Sequence, residues 1–396
     1  MKSSKDLNGK FFLIILVLFV FSSLLFAADV EKGADAGIEQ IDLFVSGQGG
    51  YDTYRIPSIV VTTKGTVLAF CEGRKNSKGD AGDIDLLVRR SVDDGKNWSK
   101  TTVLWNDKGN TCGNPCAVVD EITGDIFLLS TWNLGSDHER EILKNESKDS
   151  RRVFVIKSED DGVTWSKPNE ITESTKAKHW RWYATGPGSG IQLKYGAKKG
   201  RLVIPADHSF FEFAPDVKYG AHVIYSDDHG KTWSYSDAIM PGLNENEVVE
   251  MLDGKIMMNA RNHRYRGSRG IAFSMDCGET WPYVSYQSNL QEPRCQASVA
   301  RYSPNRFCSK DIVLFSNPNH DKKRVNMSVK LSYDQAKTWP IVKSLYAGPS
   351  AYSCLAVLAD GKIACFYEAG RKSSYEKIVL SIFTIDWLTD GKEKVN

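Results

Sequence analysis

From about residue 40 onward the chain alternates short apolar runs with turn residues, and no helical period of comparable strength interrupts it. One run recurs six times, each copy just after a turn: Gly65-Thr-Val-Leu-Ala-Phe, Gly124-Asp-Ile-Phe-Leu-Leu, Gly200-Arg-Leu-Val-Ile-Pro, Gly254-Lys-Ile-Met-Met-Asn, Asp311-Ile-Val-Leu-Phe-Ser and Gly361-Lys-Ile-Ala-Cys-Phe. The copies start 50 to 76 residues apart. Each interval holds a four-stranded sheet when strands run about 5–6 residues with short turns between them. Sheets of this kind placed radially leave few exposed edges. The pattern predicts an all-β chain folded as a six-bladed β-propeller. Its last blade would be completed by both chain ends, Ile41 to Val45 pairing near Ile378 to Leu388.

A second repeat supplies the turns. The octet S-x-D-x-G-x-T-W occurs five times, at Ser91 to Trp98, Ser158 to Trp165, Ser226 to Trp233, Ser274 to Trp281 and Ser332 to Trp339. Asn97 replaces Thr in the first copy and Ala336 replaces Gly in the last. The Asp carboxylate can accept N–H bonds within its own turn, and Gly supplies a positive φ. Trp covers the turn with apolar surface while its indole N–H finds a partner. These five Asp-box turns argue for fold and not for reaction, because such turns occur on unrelated proteins.

The first residues follow a different pattern. Lys2, Lys5 and Lys10 precede an apolar run from Phe11 to Phe21 and a small-residue exit, so residues 1–27 read as a secretory signal cleaved near Ala27 or Ala28. The rival reading is an uncleaved anchor, since Phe11 to Ala28 is nearly long enough to span a bilayer. Two serines and the alanine exit favour cleavage. The expected organisation is a signal over 1–27, a linker over 28–39 and one propeller domain over 40–396. The location would be secreted or periplasmic, with a membrane anchor only if the leader is retained. Removing residues 1–27 takes three lysines and one aspartate from 51 basic and 49 acidic groups, leaving 48 of each. That balance gives no basis for binding nucleic acid. The eight cysteines are irregularly spaced, with Cys71 and Cys365 inside apolar runs where a buried thiol is expected. Cys112 and Cys116 lack a second pair at zinc-ligand spacing, and the seven histidines do not cluster, so no metal or cofactor is implied.

The specific chemistry lies outside the octets. Tyr54-Arg55-Ile56-Pro57 resembles the (F/Y)-R-I-P motif of sialidases, and with the Asp-boxes the resemblance extends from about residue 40 to 390. It is closest to the single-domain bacterial type. The resemblance implies that Arg55, Arg261 and Arg324 bind a substrate carboxylate, for which guanidinium is suited because it bonds both oxygens while staying charged. In the run from Arg261 to Arg269 only Arg261 matches; Arg264, Arg266 and Arg269 read as surface charge. Tyr352 matches the nucleophile and Glu245 the base beside it, with Glu247 an alternative on the same strand face. Asp80 matches the acid/base group, with Asp83 and Asp85 as neighbours that could replace it. Arg74 matches the arginine that contacts the sugar's 4-hydroxyl, Asp137 and Trp132 are candidates to line the N-acetyl pocket, and Tyr183 is a candidate for the same cavity.

A tyrosine nucleophile has a physical reason here. Sialic acid bears a carboxylate on its anomeric carbon, and an attacking carboxylate would meet like charge, at a cost of about 4 kcal/mol at 4 Å in an effective dielectric near 20. Neutral tyrosine avoids the repulsion but needs a base. To donate a proton, Asp80 would need a pKa raised by partial desolvation. The resemblance thus implies a retaining exo-α-sialidase acting on sialylated glycoproteins, glycolipids and oligosaccharides. Two readings compete with it. One is a trans-sialidase, inter- or intramolecular, using the same site; the other is a non-catalytic propeller that binds sialoglycans.

Overall fold

The computed structural model describes residues 37–210, 219–265, 267–305 and 308–393. The expected leader and most of the expected linker lie outside the described residues, as does Arg266. The described chain is all-β apart from three short helices, Glu139–Lys144, Thr172–Thr175 and Ile385–Leu388.

Its strands form antiparallel meanders in chain order. The first runs Thr53–Val61, Val67–Arg74, Ile84–Ser91 and Thr102–Trp105. The next runs Thr111–Val119, Ile126–Asn133, Arg152–Ser158 and Asn169–Glu170. In the third, Tyr183–Thr185 and Ile191–Gln192 share the inner edge of Leu202–Ser209, followed by Tyr219–Ser226 and Ser234–Tyr235. Leu243–Glu250, Ile256–Asn262, Arg269–Ser274 and Tyr283–Gln287 follow. Ser298–Asn305, Cys308–Pro318 and Val325–Ser332 then lead into the 17-residue strand Ile341–Val357. That strand changes partner midway, pairing Pro349 with Val325 and Ser350 with Ala369. Its second half continues through Ile363–Ala369 and Lys377–Phe383 to Ile38–Val45. Each repeated apolar run is the second strand of its meander. These strands are buried on both faces, which is why they read as continuous apolar runs and not as strict alternation.

The chain ends meet as expected, with Ile41 opposite Leu380 and Val45 opposite Lys377. Two boundaries differ from expectation. The first strand starts at Ile38, inside the expected linker, and Leu388 belongs to a helix beyond the last strand.

Each octet begins at the last residue of a third strand: Ser91, Ser158, Ser226, Ser274 and Ser332. In the second copy Asp160 accepts from the Thr164 N–H at 2.8 Å, and Ser158 Oγ accepts from the Gly162 N–H at 2.9 Å. Two consecutive residues are left-handed in every copy, as with Asp161 (φ 66°) and Gly162 (φ 78°), where only glycine was expected. The indole N–H groups of Trp98, Trp165 and Trp281 find acceptors, but those of Trp233 and Trp339 have none among the described residues. Packing explains the glycines. A Cβ on Gly162 would lie 2.8 Å from Leu68, and one on Gly230 would lie 2.3 Å from the Phe127 ring. The octet turns therefore press against the preceding meander. The first octet does so too: a Cβ on Gly95 would meet Ile382 at 2.7 Å, on a strand from the other end of the chain.

Ile59, Val118, Ile191, Val248, Val299 and Leu355 all wall one cavity of about 760 Å³, and each comes from an inner strand of a different meander. The meanders are thus arranged around an axis. Cys71, Cys112, Cys116, Cys277, Cys295, Cys354 and Cys365 are buried free thiols.

Candidate active site

A second cavity, about 230 Å³, gathers Arg55, Arg74, Asp80, Glu245, Arg261, Arg324 and Tyr352 from across the sequence. Backbone irregularities aim these residues. Four of the inner strands carry register shifts beside residues of this cavity, between Arg55 and Ser58, Gly113 and Cys116, Leu243 and Asn246, and Ser350 and Ser353. Bulges of this kind re-aim side chains at the ends of strands. Within the first bulge Ile56 is left-handed (φ 62°), an outlier for a β-branched residue. It is held there by Glu368, whose Oε1 accepts from the Ile56 N–H at 2.9 Å.

Glu368 is fully buried and ties the site together. Its carboxylate accepts from Arg55 Nε at 3.0 Å, from Arg55 Nη2 at 3.3 Å and from the Tyr352 N–H at 3.2 Å. One carboxylate thereby fixes a guanidinium and the backbone under the tyrosine. The Tyr352 hydroxyl donates to Glu245 Oε1. Arg261 Nη1 bonds Glu245 Oε2 at 2.7 Å and the same hydroxyl at 3.2 Å. Arg324 donates to the Tyr375 hydroxyl at 2.8 Å and to the Arg294 carbonyl at 2.9 Å. The Arg55 and Arg324 guanidinium carbons lie 4.9 and 5.5 Å from the Tyr352 ring centre. Burial, reinforced by Glu245, pushes the Tyr352 hydroxyl well above its ordinary pKa, and the three arginines oppose the shift without cancelling it. The tyrosine is neutral, with an acceptor in place for its proton.

Glu247 lies one pleat deeper than Glu245. It accepts from Ser298 Oγ at 2.7 Å and the Val299 N–H at 2.9 Å, and burial raises its pKa to about 8. It does not line the cavity.

Asp80 stands on a loop with its side chain 64% exposed, 2.8 Å from Arg74 Nη1 and 3.3 Å from Arg55 Nη1. Burial raises its pKa, but the two guanidinium groups outweigh that and hold it below the ordinary value. The expected upward shift is therefore absent from the open site, because the desolvation it required is opposed by two cations. Asp83 pairs with Lys75 and Asp85 accepts from the Tyr51 hydroxyl, so neither reaches the cavity. Arg74 is buried and gripped by Glu72.

Three expected pocket residues lie elsewhere, Tyr183 and Trp132 by strand alternation and Asp137 by its place in a loop. Tyr183 points into the core, donating to the Thr175 carbonyl at 2.8 Å and lying 2.7 Å from His222, while adjacent Trp182 lines the cavity. Trp132 points outward to Asp107, opposite in sense to Thr131. Asp137 accepts from the Asp149 N–H. Arg269, expected at the surface, is fully buried and bonds Glu292 at 2.9 Å.

Several site residues escaped the sequence reading. Arg151 is buried with its guanidinium 3.7 Å from the Trp182 ring centre, its Nη1 unpartnered, and burial lowers its pKa to about 10. Glu72, Asp207, Asn244 and Tyr375 line the same cavity. A signal for some of them was present. In the five repeated runs that open with glycine, the seventh residue after it is Glu72, Thr131, Asp207, Arg261 or Glu368. Three of these line the cavity, Glu368 holds Arg55, and Thr131 binds Arg151 at 3.2 Å. Among the described residues no group of His, Cys, Asp and Glu could hold a metal ion.

Residues 65–365 match the family described as BNR repeat-like domain, the class of protein to which these meanders and octet turns conform. A sialidase of Micromonospora viridifaciens is 32% identical over 372 residues, covering 91% of this chain and 56% of that protein. Sialidase-3 of Bos taurus is 30% identical over 388 residues, covering 84% of this chain and 89% of that protein. The solved structure of the Hadza microbial sialidase Hz136 matches with a TM-score of 0.78 at 30% identity, covering 88% of this chain and 69% of that one. The chain belongs to the sialidase family, and it spans little more than half the length of the Micromonospora relative.

Proposed function

We propose that this protein is a retaining exo-α-sialidase, built as a six-bladed propeller, that releases terminal sialic acid from glycoconjugates through a covalent bond to Tyr352. The observation that carries the reading is the Tyr352 hydroxyl donating to Glu245 between three arginines. Tyrosine is the known exception to carboxylate nucleophiles among retaining glycosidases. The six-blade count is supported by the repeated runs, each central to its own meander around one axis.

Arg55, Arg261 and Arg324 bind the sugar carboxylate. Tyr352 Oη then bonds the anomeric carbon as its proton passes to Glu245, and the glycosidic C–O bond breaks as the leaving oxygen takes a proton from Asp80. Water attacks the anomeric carbon in the second step, giving a proton to Asp80, and Tyr352 leaves and recovers its proton from Glu245. Asp80 is ionised in the open site, so its acid form requires the leaving sugar to cover it, adding desolvation against Arg74 and Arg55. We also propose export through the segment 1–27.

The test is incubation with sialyl-lactose, followed by NMR from the first minutes. The expected first product is the α-anomer of free sialic acid, with no release by Tyr352→Phe. A first-formed β-anomer would refute retention, and sialylated acceptor or anhydro sugar would identify a transferase.

A further inference from the structure

The reaction above gives Asp207 no task, yet its place in the cavity is prepared. It occupies the same position in its repeated strand that Glu72, Arg261 and Glu368 occupy in theirs, and the first two of those also line the cavity. It is 1% exposed. Asn244 Nδ2 donates to its Oδ1 at 2.7 Å, and its Oδ2 has no partner among the described residues. A buried polar atom without a partner is costly, and native proteins keep few of them. In a cavity that takes a polyhydroxylated sugar, a ligand hydroxyl is the natural complement.

We propose that Asp207 is a substrate-positioning residue whose free Oδ2 donates a hydrogen bond to a hydroxyl of the bound sialoside, an inference that rests on the sialidase reading. The surroundings keep the carboxyl in the protonated form this requires. Burial holds its pKa well above the ordinary range and Glu245 adds to the shift, while Arg261 pulls the other way. Glu139 and Arg151 face it from the preceding meander, and Tyr219 and His263 complete that side of the cavity. His208 and His222 lie on the opposite face of the strand, 3.0 Å from each other. When Asp207 ionises, the donor is lost and a second negative charge appears beside Glu245, in a site that must accept an anion. Both changes weaken substrate binding.

The experiment is KM and kcat for sialyl-lactose between pH 5 and 9, in wild type, Asp207→Asn and Asp207→Ala. The amide of Asp207→Asn donates a hydrogen bond at every pH. The wild-type KM is expected to rise on the alkaline side as Asp207 ionises, and the Asp207→Asn KM to remain near the low-pH wild-type value. Asp207→Ala should raise KM roughly 3- to 10-fold at low pH, the worth of one hydrogen bond. In all three the effect falls on KM more than kcat. Variants that both keep the wild-type KM and its pH profile would overturn the proposal, as would equal KM increases in both, which would indicate a structural role. If wild type binds sialyl-lactose without cleaving it, the hydrolase reading fails alone and Kd takes the place of KM in the same comparison. If it neither binds nor cleaves, both readings fail.

Discussion

Two carboxylates meet the same class of cation in this cavity and are set up for different work. Glu245 accepts from the Tyr352 hydroxyl and from Arg261, which under the proposed mechanism makes it the base for the nucleophile. Asp80 touches only guanidinium groups and stands toward solvent, where a leaving sugar would lie. Substrate choice separates the two roles. An aryl sialoside leaves as a stable phenolate and needs little acid help; a galactoside leaves as an alkoxide and needs much. Asp80→Ala is expected to lose far more kcat/KM on sialyl-lactose than on the aryl sugar, a difference of about 10²–10⁴-fold. Glu245→Ala should lose heavily and similarly on both, because both require Tyr352. Equal losses for Asp80→Ala would remove it as the acid. Glu247, two residues from Glu245, supplies a contrasting prediction. Its pKa of about 8 lies above the ordinary carboxylate value, so the folded state holds this proton where the unfolded chain has lost it. The resulting stability is fully present below about pH 4.5 and is lost as pH rises toward 8. Glu247→Gln removes that loss, and its melting temperature should exceed wild type by more at pH 8 than at pH 5. A constant gap would show that the carboxyl does not titrate there.

The elements show which parts of this architecture a sequence can carry. Repeated strands were legible because burial on both faces leaves a continuous apolar run after a turn residue. Octet turns were legible because their roles need particular residue types. The bulges were not, although four of them lie beside Arg55, Asn114, Glu245 and Tyr352 and aim the site. Ile56 and Asn114 are left-handed without glycine; asparagine tolerates that region, but nothing in the residue type marks Ile56. What marks them is a partner far away in sequence: Glu368 for Ile56 and Glu72 for Asn114, each binding the backbone N–H. Alternation alone was available to separate Trp182 from Tyr183, but which face met the cavity depended on packing with the next meander. The octet glycines yield a test at this scale. Gly230→Ala would force a left-handed alanine and set its Cβ 2.3 Å from the Phe127 ring. Backbone cost and overpacking together should destabilise by about 2–5 kcal/mol in a denaturant titration. Gly109→Ala, also left-handed (φ 97°) but with nothing within 4 Å of the new Cβ, should cost only about 1–2 kcal/mol. Equal costs would mean that the turn is not wedged against its neighbour.

At the scale of the molecule, the site depends on how the chain closes. Arg55 comes from the first meander and Glu368 from the last, so their ion pair spans nearly the whole sequence. The last meander is complete only because Ile38–Val45 pairs with Lys377–Phe383, with Leu43 and Phe44 in the same core as Leu380 and Ile382. The first octet tryptophan, Trp98, packs into that core as well. Without the strand, Lys377–Phe383 becomes an open edge beside exposed apolar side chains, a template for pairing with another chain. A protein beginning at Gly47 is therefore expected to aggregate or melt at a markedly lower temperature than one beginning at Gly37. Its residual activity should fall, because Arg55 and Tyr352 share their anchor on Ile363–Ala369, the neighbour of the strand left open. A synthetic peptide of residues 37–46 can supply the missing hydrogen bonds by strand addition. Added in excess, it should restore both the melting temperature and the cleavage of sialyl-lactose, whereas the same peptide with Leu43 and Phe44 replaced by Ser should restore neither. Equal melting temperatures for the two proteins without any peptide would show that the ends do not hold the ring together.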